Sequence, residues 1–134
     1  MNFTLETQSL FYQNLGKLFY AIAAADKVIR EEEVNKLKYL VNTEWLNLGG
    51  VKEKSEVDAM RQIKITFEQL ATQTQNPNDC MADFKLFKKA NENLFTEDVK
   101  QLIWKTANAI TKSFSGRNKS ELIMLTELGS ILKS

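Results

Sequence analysis

The chain has 134 residues, 43% hydrophobic and 26% charged, the make-up of one soluble globular domain. Eighteen Lys and Arg against 17 Asp and Glu leave a net charge of +1, which argues against a general nucleic-acid binder. Histidine is absent and Cys80 is the single cysteine, so His-based triads, His-ligated zinc and an intrachain disulfide are excluded.

Apolar residues recur with a period near 3.6, so helices are predicted throughout. The first carries Phe11, Leu15, Leu18, Phe19 and Ile22 and ends in Ala23-Ala24-Ala25. The second carries Val34, Leu37, Val41, Trp45 and Leu48 and closes at Gly49-Gly50. Ser55 and Asp58 form a capping-box-like pair opening the third, with Val57, Met60, Ile63, Phe67 and Leu70. Gln75 to Asn78, around the lone Pro77, is a turn with Asp79 as the expected N-cap of the fourth, which carries Cys80, Phe84, Phe87 and Leu94. Thr96 caps the fifth, whose stripe is Val99, Leu102, Ile103, Thr106, Ile110 and Phe114. Asn118 and Glu121 precede the last, with Leu122, Leu125, Leu128 and Leu132. The expectation is an all-α fold: a single compact orthogonal bundle of about six helices spanning residues 3–134, with a weak internal pseudo-repeat. Small side chains at Ala23 and Ala24 are expected to let the fifth helix, with Ala107 and Ala109, approach the first closely.

The most apolar run, Leu18 to Ala25, lacks the short basic head of a signal peptide and is far shorter than the roughly 20 residues that span a bilayer. A cytoplasmic protein with no membrane partner is therefore expected.

Two segments look alike. Ala23-Ala24-Ala25 leads through Asp26-Lys27-Val28-Ile29-Arg30 to Glu31-Glu32-Glu33, then Val34, Leu37 and Leu40. About 87 residues later, Ala107 to Ile110 leads through Lys112 to Ser120 to Glu121, then Leu122, Leu125 and Leu128. In each, an apolar helix meets a polar turn and a Glu opens the next helix.

The first of these segments resembles the tellurite-resistance TerB-like family, and the similar N-terminal domain of DjlA-type membrane cochaperones shares the turn. The resemblance rests on Ala24 to Glu33 with Leu37 and Leu40 behind it. It implies an all-helical domain with metal held by acidic residues from two related turns. This chain departs from the pattern twice. Lys27 stands where Gly is common, so the turn needs another backbone or accepts strain. The second turn has no Asp; Ser113, Ser115 and Arg117 occupy that region.

Asp26, Glu31, Glu32 and Glu33 offer hard oxygen ligands for weak Ca²⁺ or Mg²⁺ binding. They equally fit a structural reading, in which Asp26 braces the turn and the three Glu favour a helix N-terminus. Consecutive Glu also point in different directions around a helix, so they cannot all face one ion. From Val99 to Ser120 every charged residue is basic: Lys100, Lys105, Lys112, Arg117 and Lys119. This segment, with Arg117 and Lys119, is a candidate for contacting phosphate or an acidic partner; it equally fits a helix C-terminus with favourable cations and a solvated face. If the two turns meet, Arg117 and Lys119 could instead neutralise the first turn in place of a metal. Trp45, Trp104 and Cys80 are expected in the core, and Lys85, Lys88 and Lys89 on a solvated face beside Phe84 and Phe87. No nucleophile–base pair and no phosphate-cradling loop is present. The expected function is that of a non-enzymatic module with no resident cofactor, acting in stress-related protein interaction. The alternative is a metal- or metalloid-stress protein that binds a divalent cation at the Asp26–Glu33 turn.

Overall fold

Thr4 starts the first helix, its hydroxyl accepting from the Thr7 amide at 3.1 Å. The computed structural model describes residues 4–49, 54–112 and 118–134, and all regular structure among them is helical. Six helices follow in order. α1 is Leu5–Ala23; α2 is Glu31–Leu40, extended by a π-helical turn at Val41–Trp45 and a last turn at Leu46–Gly49. α3 runs as Lys54–Met60 and Gln62–Gln73, broken at Arg61; α4 is Pro77–Ala90; α5 is Glu97–Lys112; α6 is Lys119–Lys133. A 3₁₀ turn, Glu92–Leu94, links α4 to α5.

α1 is the central element. Every residue from Leu18 to Ala24 is buried, which explains the apolar run there: this helix is covered on all sides by others. It packs most extensively on the second segment of α3 and on α4, rather than on α5 as the alanine triplet suggested. One close approach is at Gly16. A Cβ added there would lie 2.7 Å from the Ile63 carbonyl oxygen and 2.8 Å from Thr66 Cβ. The six stripes meet in one hydrophobic core. Phe95 stands at one pole of it, with ring centroids 5.5 Å from Phe11 and 5.8 Å from Phe84.

The caps follow side-chain chemistry closely. Thr96 Oγ1 accepts from the Val99 amide at 3.3 Å, as expected. At α4 the N-cap is Asn76, not Asp79. Its side chain accepts from the amides of Asn78 and Asp79, and Pro77 fills the first helical position, where a missing N–H costs nothing. Ser55 and Asp58 both lie inside α3, which is already helical at Lys54.

Several outward residues correct the predicted stripes. Trp45 is buried and donates from Nε1 to Thr106 Oγ1 at 3.0 Å, but Trp104 is 41% exposed. Each helical residue advances about 100°, so the step past Ile103 carries Trp104 off the buried face of α5 and over Gly129 of α6. Leu48, in the last turn of α2, and Leu122, in the first turn of α6, lie near helix ends and are exposed. Lys88, expected in solvent, is 1% exposed. Its ammonium bonds Glu92 at 3.0 Å, reaches the Ser134 carbonyl oxygen at 3.3 Å and lies 5.9 Å from the centre of the Phe95 ring. A buried cation is tolerated when paired and hydrogen-bonded in this way. Among the described residues, no helix is long and apolar enough to cross a membrane.

Candidate functional site: the joint between two turns

After α1, the Lys27 amide bonds back to the Ala24 carbonyl at 2.8 Å and Lys27 takes φ 67°. That is the left-handed conformation that glycine adopts freely and other residues adopt at a cost. Asp26 braces this turn. Its Oδ1 accepts from the Val28 amide at 3.0 Å. Its Oδ2 accepts from Arg30 Nη2 at 3.1 Å and from the Asn118 side-chain amide at 2.6 Å. The two turns therefore meet, and Asp26 and Asn118 are the point of contact.

Each turn feeds a helix whose third residue is a glutamate reaching back to the cap. Glu33 Oε1 accepts from the Arg30 amide at 3.0 Å, and Glu121 Oε1 accepts from the Asn118 amide at 3.1 Å. Asn118 completes its box by accepting from the Glu121 amide at 2.8 Å. Arg30 and Glu33 correspond to Asn118 and Glu121 at a constant offset of 88 positions. The pseudo-repeat thus has a local physical basis, a capping glutamate after each polar turn.

Both glutamates are 1% exposed. Glu121 Oε2 has no hydrogen-bond partner among the described residues. Burial pushes the Glu33 carboxyl up to about 8, and the neighbouring Glu121 carboxyl adds to the rise, while the Arg30 amide opposes it. Hydrogen bonding to Asp26 raises the Arg30 guanidinium further above its ordinary range.

Of the acids singled out in the sequence, Asp26 and Glu33 come to this joint. Glu31 and Glu32 are exposed, and Glu32 faces a shallow depression with Lys36, Tyr39 and Lys112. Lys119 is exposed and makes no ion pair with the first turn among the described residues; Arg117 lies outside the described residues. The groups facing Asp26 are instead Arg30, from the first turn itself, and the neutral amide of Asn118. Arg30 carried a signal, since it sits four residues after Asp26. Asn118 and Glu121 were legible as a cap, but nothing local in sequence ties them to Asp26.

The metal implied by the family resemblance fits this joint poorly. All the Asp26 oxygens and one oxygen of each glutamate already accept from N–H donors. The Arg30 guanidinium also lies 3.8 Å from Glu33 Oε1. One oxygen from each glutamate remains, against the six or more that Ca²⁺ or Mg²⁺ takes. Among the described residues no group of three His, Cys, Asp or Glu is placed to hold an ion.

A second feature is a groove of about 540 Å³ between α5 and α6. It has Trp104, Leu132 and Gly129 as its apolar part and Glu97, Lys100, Gln101 and Lys133 around them. No known protein family, curated protein or solved structure matches the chain.

Proposed function

We propose that this chain is a non-enzymatic helical module that docks a protein partner in the groove between α5 and α6. The observation carrying this reading is the half-exposed Trp104, set over Gly129 beside Leu132. Tryptophan is among the residue types most enriched at positions that dominate interface energies, and Gly129 lets its ring lie against α6, where a Cβ would sit 3.6 Å from it. The occupant is a partner helix that inserts an apolar anchor against Trp104 and sets a carboxylate on Lys133. Lys133 is exposed and has no ion pair among the described residues. Lys100, by contrast, is already bonded to Glu97 at 3.0 Å.

The chemistry elsewhere supports a binding rather than a catalytic role. The one thiol, Cys80, is buried, and burial pushes it up to about 11, so it stays protonated and unreactive. Its unpaired state suits the reducing, cytoplasmic setting that belongs to this reading. The stress-related role rests on the likeness to the TerB-like family, supported by the two meeting turns with their paired capping glutamates.

Photo-crosslinking in cells tests the groove. A photoreactive phenylalanine at Gln101 is expected to give a discrete protein adduct that disappears with Trp104→Lys, while the same probe at Lys64 on α3 gives none. Equal adducts from both faces, or an adduct indifferent to Trp104→Lys, would overturn the assignment.

A further inference from the structure

We propose that Glu33 and Glu121 share one proton between their inward oxygens, and that this proton with Arg30 closes the joint where the family resemblance implies a metal. The inference is independent of the groove between α5 and α6.

Three observations lead to it. Each glutamate spends one oxygen on the backbone amide of its own cap, so each has one oxygen left. Both side chains are 1% exposed, so water does not solvate those remaining oxygens. Glu121 is the neighbouring carboxyl that Glu33 feels, and two ionised carboxylates adjoining one another out of water repel, which favours one of them keeping its proton. A single proton turns that repulsion into a short O–H···O⁻ bond and supplies Glu121 Oε2 with the donor it otherwise lacks.

The surrounding charges leave the proton in this role. From the first turn come Asp26 and Arg30, which are bonded to each other at 3.1 Å. Arg30 lies 3.8 Å from Glu33, on the oxygen already used by the cap, and its charge also acts on Glu121. The end of α1, Ala23 to Ala25, carries no charge. On α5, which packs along α2, the charged residue at this end is Lys112, exposed and lining a depression with Glu32. On α6, Lys119 is exposed and Asn118 is neutral. Among the described residues, no cation takes the place of the shared proton. When base removes it, the proton goes to solvent and two adjoining carboxylates remain.

Carboxyl carbon NMR on Glu-labelled full-length protein, with and without millimolar Ca²⁺ or Mg²⁺, tests this. The expected result is one protonated carboxyl in the pair at pH 7, titrating in two steps that belong to the pair, with the upper step near 8. Neither cation should shift that step or the melting temperature. Glu33→Gln supplies an amide donor in place of the proton, so it should abolish the upper step. Two ionised carboxyls at pH 7 would overturn the proposal. So would a cation-induced rise in melting temperature that Glu33→Gln removes. The wild-type spectrum decides the matter even if the variant fails to fold.

Discussion

Asn118 donates its side-chain amide to Asp26 across 92 residues of chain, while its own carbonyl oxygen caps α6. One side chain thus starts a helix and fastens it to a distant turn. The two roles can be separated by mutation. Asn118→Ala loses both and should cost about 2–3 kcal/mol, the sum of a cap and a partly buried hydrogen bond to a charged group. Asn118→Asp keeps a good cap but sets a carboxylate against Asp26. If urea unfolding finds Asn118→Asp as stable as wild type at pH 7, the tie to Asp26 contributes nothing.

Stability should fall as pH rises through neutrality. Glu33 is raised to about 8 in the folded chain, so between its ordinary range near 4.5 and 8 the native state holds a proton that the unfolded chain has released. The stabilisation is complete below about 4.5, declines across this window by up to about 1.4 kcal/mol per pH unit for one proton, and levels off above 8. Melting curves from pH 5 to 9 measure the slope. Glu33→Gln should flatten it, whereas exposed Glu32→Gln should leave it unchanged.

Gly16→Ala tests the close crossing of α1 and α3. In an exposed helix this change gains up to about 1 kcal/mol. Here the added methyl meets the Ile63 carbonyl oxygen at 2.7 Å and Thr66 Cβ at 2.8 Å, so a net loss of about 1–3 kcal/mol is expected. Guanidinium unfolding with an unchanged or raised midpoint would show that the helices can separate without loss.

Lys27→Gly should act in the opposite direction. Lys27 is exposed with φ 67°, and the turn bonds only its backbone, so glycine relieves the strained conformation at little expense in contacts. A gain of up to about 1 kcal/mol is expected by urea titration, reduced by the extra freedom that glycine confers on the unfolded chain.

The helices were legible because apolar spacing and polar caps report local physics. The stripe of α1 and that of α5 from Val99 to Ile110 fall where the period puts them, Phe114 lying outside the described residues, and Thr96, Asn118 and Glu121 cap as their chemistry demands. What was not legible depends on distant partners or on angle. A run of three glutamates does not say which one turns inward; Glu33 does because its carboxyl reaches back to the Arg30 amide and meets Glu121. Lys88 is buried because Glu92 and the carbonyl of Ser134 converge on it, and only the folded topology brings Ser134 there. Trp104 sits one residue beyond the stripe, a displacement easily overlooked beside Ile103.

The ammonium of Lys88 gives α6 a second tether. One tip of that helix is fastened at Asn118 and Glu121, the other by Lys88 at Ser134. Loosening the glutamate end by base therefore leaves the far tip moored, and Met124, Leu125, Leu128, Ile131 and Leu132 keep the length between them seated in the core.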